Sequence, residues 1–335
     1  MTSLGQDQRA LSPEADAPPR LSADSNPQHP DSTLAAYAAA VRTELIPEPS
    51  VADVAALLSS ATYRNLSTTH PLDALSRIAR VAPLAASQGA QTIGDVLDIA
   101  YAALVSDYRN EYVFKNTVVS RIVFGKHKPT TASAILELPL GTSFADVAIF
   151  NGTSTVYEIK TDLDSFSRLE SQLRDYCSRA EFVNVVVSDR RAATVQRHLP
   201  ESIGIMALRR NGAIQTVRAA ESNLGQLRSD HLFDSLRRAE AEAILRASGH
   251  TIVAADPLER WNELREAFAA LDPHFVHSRA VVALRERGMK AASVAADPSL
   301  PLSARALAYS APLSNASGRR LLDRLRQPIP PVWGC

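Results

Sequence analysis

The 335-residue sequence predicts an α/β protein built on a mixed sheet. Two observations carry this. Between residues 133 and 218, short runs rich in β-branched residues alternate with turn signals: SAILELPLG, FADVAIFNG, TVYEIKTD and EFVNVVVSD. Amphipathic stretches separate the later runs, and both flanks of this region read as helical. The predicted core order is helix, three-strand meander, helix, strand, helix and hairpin. The hairpin comes from IGIMALRRNGAIQTVRAA, with Asn211-Gly212 at its turn.

Residues 1–32 are rich in Pro, Ser, Asp and Gln and read as a disordered tail. Residues 33–105 read as an N-terminal helical segment starting near STLAAYAAAVRTELI, with helices in SVADVAALLSSA and HPLDALSRIARVAPLAA. The helical pattern from Thr92 to Phe124 is too long for one helix in a small domain, so a break is expected before Tyr108 or Asn110. Residues 106–220 hold the α/β core. There DSFSRLESQLRDYCSRA predicts a helix N-capped by Asp164 or Ser165, and RRAATVQRHLP predicts another. Residues 229–330 turn helical again, in DHLFDSLRRAEAEAILRASG with Gly249 as C-cap, DPLERWNELREAFAAL, SRAVVALRERGMKAASVA, PLSARALAYSA and SNASGRRLLDRLRQPI. This region either packs on the core or forms a small domain of its own.

Composition narrows the function. Lys and Arg number 36 against 36 Asp and Glu, which argues against a chain held to nucleic acid by bulk charge. Cys177 and Cys335 offer no disulfide framework and no CxxC metal site, and Cys177 reads as a small buried residue. The first residues lack a signal-peptide core, and no run of about 18 apolar residues occurs, so a soluble cytoplasmic protein without membrane contact is expected. His198, His231, His250, His274 and His277 form no zinc-type pair, and no P-loop or GxGxxG is present.

The informative stretch is SFADVAIFNGTSTVYEIKTD, Ser143 to Asp162. Glu158 and Lys160 share a side of their strand. A three-residue loop of Asn151, Gly152 and Thr153 sets Asp146 directly across from Glu158, about 4.5–5.5 Å apart at Cβ. A two-residue turn sets it against Tyr157 instead. Facing carboxylates repel, and a divalent cation with oxygen ligands, Mg²⁺ or Mn²⁺, relieves that repulsion. Such an ion also activates water and neutralises a phosphodiester, with Lys160 beside the developing charge. The ordinary alternative is a set of solvated strand charges. In the same way, Lys126 and Lys128 in GKHKPT, and Arg190 with Arg191, are either phosphate contacts or surface charge.

These residues resemble the PD-(D/E)XK nuclease superfamily, whose pattern is an acid on the second core strand and (D/E)-x-K on the third. Here these are Asp146 and Glu158-Ile159-Lys160. The resemblance implies a restriction-endonuclease-like core and a metal held by Asp146, Glu158, the Ile159 carbonyl and an acid on the first helix. Glu111 is the best match for that acid, with Glu137 its competitor. Gln172 and Tyr176 in QLRDY match the Q-x-x-x-Y of the RecB-like branch. With Arg168 on the same stripe they are expected to line the site or touch nucleic acid; packing is the plain alternative for Tyr176. The string YEIKTDLDSFSRLESQLRDY also resembles a family of uncharacterised bacterial proteins with this core and a helical C-terminal region. Ala145 stands where many nucleases carry Pro or Arg-Ala before the Asp, so a basic residue beside the site is absent. The resemblance leads to the expectation of a Mg²⁺- or Mn²⁺-dependent nuclease acting on nucleic acid, DNA first, in a mobile-element or phage-defence setting. The helical region is then free to bind a partner protein or a second copy. The competing expectation is a non-catalytic binding module on the same fold.

Overall fold

The computed structural model describes residues 49–329, so the expected tail, the helix start after Ser32 and Cys335 lie outside it. The chain enters through α1 (Val51–Leu57), α2 (Ser60–Leu66) and α3 (Leu72–Ser87). One predicted helix is thus two, because Ser59 stops the first turn and N-caps the next. The long helical pattern breaks where expected. α4 (Ile93–Asp107) ends at Tyr108, and the Asn110 side chain caps α5 (Glu111–Val119). A π-helical segment, Ser120–Lys126, continues α5 in place of a further α-turn.

Six strands succeed it in sequence order across one sheet: β1 (Ser133–Leu140), β2 (Ser143–Phe150), β3 (Ser154–Lys160), β4 (Phe182–Ser188), β5 (Gly204–Leu208) and β6 (Ile214–Arg218). β1 to β3 form an antiparallel meander, β3, β4 and β5 run parallel, and β6 returns antiparallel. Parallel neighbours require crossovers. These are α6 (Leu169–Cys177) and α7 (Asp189–Gln196). The near-complete burial of β4 and β5 is that of strands covered on both faces. α6 begins at Leu169 rather than after Asp164 or Ser165, because the Asp164 carboxylate is committed to the Thr161 amide and hydroxyl, both at 2.7 Å.

The C-terminal helices are α8 (Ser229–Phe233), α9 (Arg238–Ala247), α10 (Pro257–Ala269), α11 (Pro273–Gly288), α12 (Ala292–Ala295), α13 (Arg305–Ser310) and α14 (Asn315–Leu325). They divide between the two faces of the sheet. α8 to α11 join α6 and α7 in one apolar layer. Residues 291–325 join α1 to α5 in the other. The first layer runs across the boundaries drawn at residues 220 and 229, and the second across those at 105, 220 and 229. Gly288 lets the end of α11 approach the β1 edge, where a Cβ would stand 2.7 Å from Ser133 Oγ and 2.8 Å from the Ala134 carbonyl oxygen.

His277 of α11 ties this layer to β3. The Ser154 hydroxyl accepts from the Glu181 amide (2.9 Å) and lies 2.7 Å from His277 Nε2, so its proton goes to a neutral imidazole. Burial pushes the His277 pKa down to about 4. The unfolded value is about 6.5, so this group costs native stability as pH falls from there toward 4. His277→Gln should flatten the pH dependence of the thermal midpoint across that window. A curve parallel to wild type would remove His277 as its source.

Candidate metal centre

The β2–β3 connection is the three-residue loop Asn151, Gly152 and Thr153, with Gly152 in the left-handed region. The ladder runs from Phe150–Ser154 to Val147–Tyr157. One step further this register sets Asp146 against Glu158, but the strands part there. Asp146 Oδ2 instead accepts from the Ile159 amide at 2.6 Å. Ile159 thus holds Asp146 through its amide.

A second break lies one strand over. The β1–β2 ladder pairs Leu136 with Val147 and Leu138 with Ala145, which sets Glu137 against Asp146. Glu137 has φ of 53°, the one positive value outside glycine among the described residues. Backbone strain of this kind gathers at functional sites. It also flips the strand: Ala134 and Leu136 face one helical layer, Leu138 and Leu140 the other. Glu137, Asp146 and Glu158 therefore stand at one level across three adjacent strands.

α5 closes this row from above. Glu111, Glu137 and Asp146 each bring a carboxylate oxygen within 4.8 Å of the others. Glu111 and Glu137, alternatives in the sequence, are both present. Exposure falls from 56% and 55% for these side chains to 16% for Asp146 and 2% for Glu158, so the cluster opens to solvent on one side only. Glu158 is not part of the converging trio. Its Oε1 accepts from Lys160 Nζ (2.8 Å) and its Oε2 from the Tyr176 hydroxyl (2.8 Å).

The helix spacing explains this second pairing. Lys160 Nζ also donates to Gln172 Oε1 at 2.9 Å. Four residues of helix rise about 6 Å and two residues of strand about 6.7 Å. Gln172 and Tyr176 on α6 thus match Lys160 and Glu158 on β3, one to one. Tyr176 is fully buried and meets Glu158, with no face left for nucleic acid. Arg168 is exposed at the start of α6. Lys126 and Lys128 are exposed at the far end of the hairpin, where the intervening His127 meets Asn151. That is five residues, roughly 17 Å of strand, from Asp146.

Lys115 is a member of the centre that the sequence did not announce. It is buried on α5, one turn after Glu111, and its ammonium pairs with Glu111 (2.5 Å), with Glu137 and, at 3.8 Å, with Asp146. The i,i+4 spacing in EYVFK was its only signal. The centre thus holds four carboxylates and two ammonium groups. Burial, and then the Glu158 charge, push the Asp146 pKa up to about 7, against the pull of the Ile159 amide and Lys115. The oxygen-only trio fits Mg²⁺ or Mn²⁺, and Lys115 Nζ competes for the same oxygens.

This charge balance can be tested in two ways. A carboxyl whose folded pKa exceeds its unfolded value stabilises the fold at low pH and loses that contribution as pH rises, here from about 4 to 7. In EDTA, Asp146→Asn should therefore melt above wild type beyond pH 7, and saturating Mg²⁺ should reverse the order. Equal melting in EDTA at pH 8 would contradict the burial argument. Lys115→Met should bind Mn²⁺ at least roughly tenfold more tightly by calorimetry, while its metal-free form loses about 1–3 kcal/mol of stability. Unchanged Mn²⁺ affinity would show that Lys115 does not compete.

Known proteins share part of this chain. The family model described as bacteriophage P4 protein cII matches residues 105–293, more than half of the chain and every residue of the centre. Protein cII of Enterobacteria phage P4 is 33% identical over 69 residues, 21% of this chain. That match spans 26% of the phage protein's own length. The SPO1766 protein of unknown function from Silicibacter pomeroyi is 17% identical over 37% of this chain and 87% of its own, with a TM-score of 0.26, too low to relate the folds. By the extent of the family match, the chain belongs to the bacteriophage P4 protein cII family.

Proposed function

We propose that this chain is a Mg²⁺- or Mn²⁺-dependent nuclease with a PD-(D/E)XK-type core. One observation carries the reading: an oxygen-only trio, Glu111, Glu137 and Asp146, lies beside a Glu158-x-Lys160 pair held from α6 by Tyr176 and Gln172. When bound, the ion neutralises phosphodiester charge and acidifies a coordinated water. Glu111, Glu137 and Asp146 hold it. Lys160 presents its ammonium to the water or the scissile phosphate, and Gln172 fixes its direction. Glu158 holds Lys160 from the other side and is itself kept in place by Tyr176. DNA is the proposed substrate, in the cytoplasm and in a mobile-element or phage-defence setting, a setting supported by the phage name of the family.

A second reading has its own observation. Lys115 already pairs with the trio and offsets part of its charge, as suits a non-catalytic binding module on this core.

A cleavage assay decides between them. Purified protein is given linear, circular and single-stranded DNA with Mg²⁺, Mn²⁺ or EDTA. The nuclease reading expects metal-dependent cleavage that falls at least about 100-fold in Asp146→Ala and in Lys160→Ala. Equal activity in wild type and both variants marks a contaminant and ends the assignment. DNA binding without cleavage favours the module.

A further inference from the structure

A cleft with mainly apolar walls and a few charged side chains lies on the other side of α5 from the acid trio. Its volume is about 610 Å³, within the range of small-molecule sites. The π-helical segment forms one wall, closed by the His127 amide bonding back to the Ile122 carbonyl (3.0 Å). Segments of this kind are rare and frequently mark functional sites. Its register turns Ser120, Arg121 and Phe124 into the cleft, opposite Tyr101 and Asp98 of α4 and Arg305 of α13.

Two guanidinium groups therefore line one cavity. The Arg305 guanidinium lies 4.3 Å over the Phe124 ring, which fixes its plane. Arg121 is exposed. Neither forms an ion pair with a carboxylate among the described residues, whereas Arg190 and Arg326 are paired with Asp162 and Asp297. The buried Ser120 hydroxyl has no hydrogen-bond partner among the described residues. Asp98, the one acid in the lining, is fixed by the Ser303 amide at 2.8 Å. Two cations against one acid leave a net positive cleft with aromatic and aliphatic walls.

We propose that this cleft binds a nucleoside phosphomonoester. Guanidinium groups recognise phosphate through paired donors, and a guanidinium stacked on an aromatic ring is pre-aimed. Ala102, Val105 and the rest of the apolar wall offer a face for a base, and Asp98 an acceptor for a ribose hydroxyl or base amine. The chemistry is the same for a free nucleotide and for the 5′-phosphorylated end of a strand. The site is separate from the acid trio and does not depend on the nuclease reading.

Calorimetric titration of the full chain in EDTA tests it. The probes are nucleoside 5′-monophosphates, inorganic phosphate, and a short oligonucleotide with a 5′-phosphate or a 5′-hydroxyl. Saturable nucleotide binding is expected, weakened roughly tenfold or more in Arg121→Gln and in Arg305→Gln. Arg121 is exposed, so its variant keeps the wild-type melting point and stays informative even where Arg305→Gln loosens the fold. Binding of the 5′-phosphorylated strand alone assigns the source to a strand end and keeps the phosphomonoester site. No saturable binding of any probe overturns the proposal. So does wild-type affinity in Arg121→Gln, or equal affinity for inorganic phosphate and nucleotides.

Discussion

The burial of Glu158 is the constraint on which the rest of the centre depends. An ionised carboxylate at 2% exposure inside a strand is tolerable only when both oxygens are partnered. Lys160 supplies one partner and Tyr176 the other. Lys160 then needs a further acceptor, which Gln172 provides. Four polar groups thus lock α6 onto β3 at one spacing. That docking fixes the crossover into β4 and so the parallel half of the sheet.

With Glu158 settled, the excess charge falls on the solvent side. Asp146 sits between the buried pair and the two exposed acids, Glu111 and Glu137, and burial, then the Glu158 charge, raise its pKa. Lys115 answers part of it by standing among Glu111, Glu137 and Asp146. The Lys115 ammonium thus occupies the side of these oxygens on which a cation would compete with it. His277 and Asp146 pull the pH response in opposite directions, one costing stability on acidification and the other on deprotonation. Their windows cover nearly the same range, so between about pH 4 and 6.5 the two slopes oppose each other and the net pH dependence is flattened.

Much of this was legible in the sequence because it is local. The Asn151–Thr153 loop, the Asn211-Gly212 hairpin and the break at Tyr108 come from turn and capping chemistry. The match of Gln172 and Tyr176 to Lys160 and Glu158 comes from two periodicities. The hidden features depend on contacts across the chain. Leu136, Leu138 and Leu140 read as one alternating face, and only the left-handed Glu137 divides them between layers. Nothing local to EYVFK marks Lys115 as buried. Its burial comes from strands more than twenty residues away. The helical tail showed amphipathic faces but not which side of the sheet each would cover.

The placement of that tail bears on the centre itself. α5 carries Glu111 and Lys115, and its position is set by the segment around Ser303. The Asn116 side chain donates to the Leu302 carbonyl oxygen at 3.0 Å and accepts from the Ala306 amide at 2.9 Å, while the Tyr112 hydroxyl donates to the Ser303 carbonyl. These contacts bridge about 190 residues of sequence. They clamp two successive turns of α5 from the side away from the acids. A helix held by one face alone could slide by a turn, moving Glu111 about 5.4 Å from Asp146. The clamp residues lie beyond residue 293, outside the stretch matched to the phage family. The chain thus carries its acids within the family region and the device that registers one of them outside it.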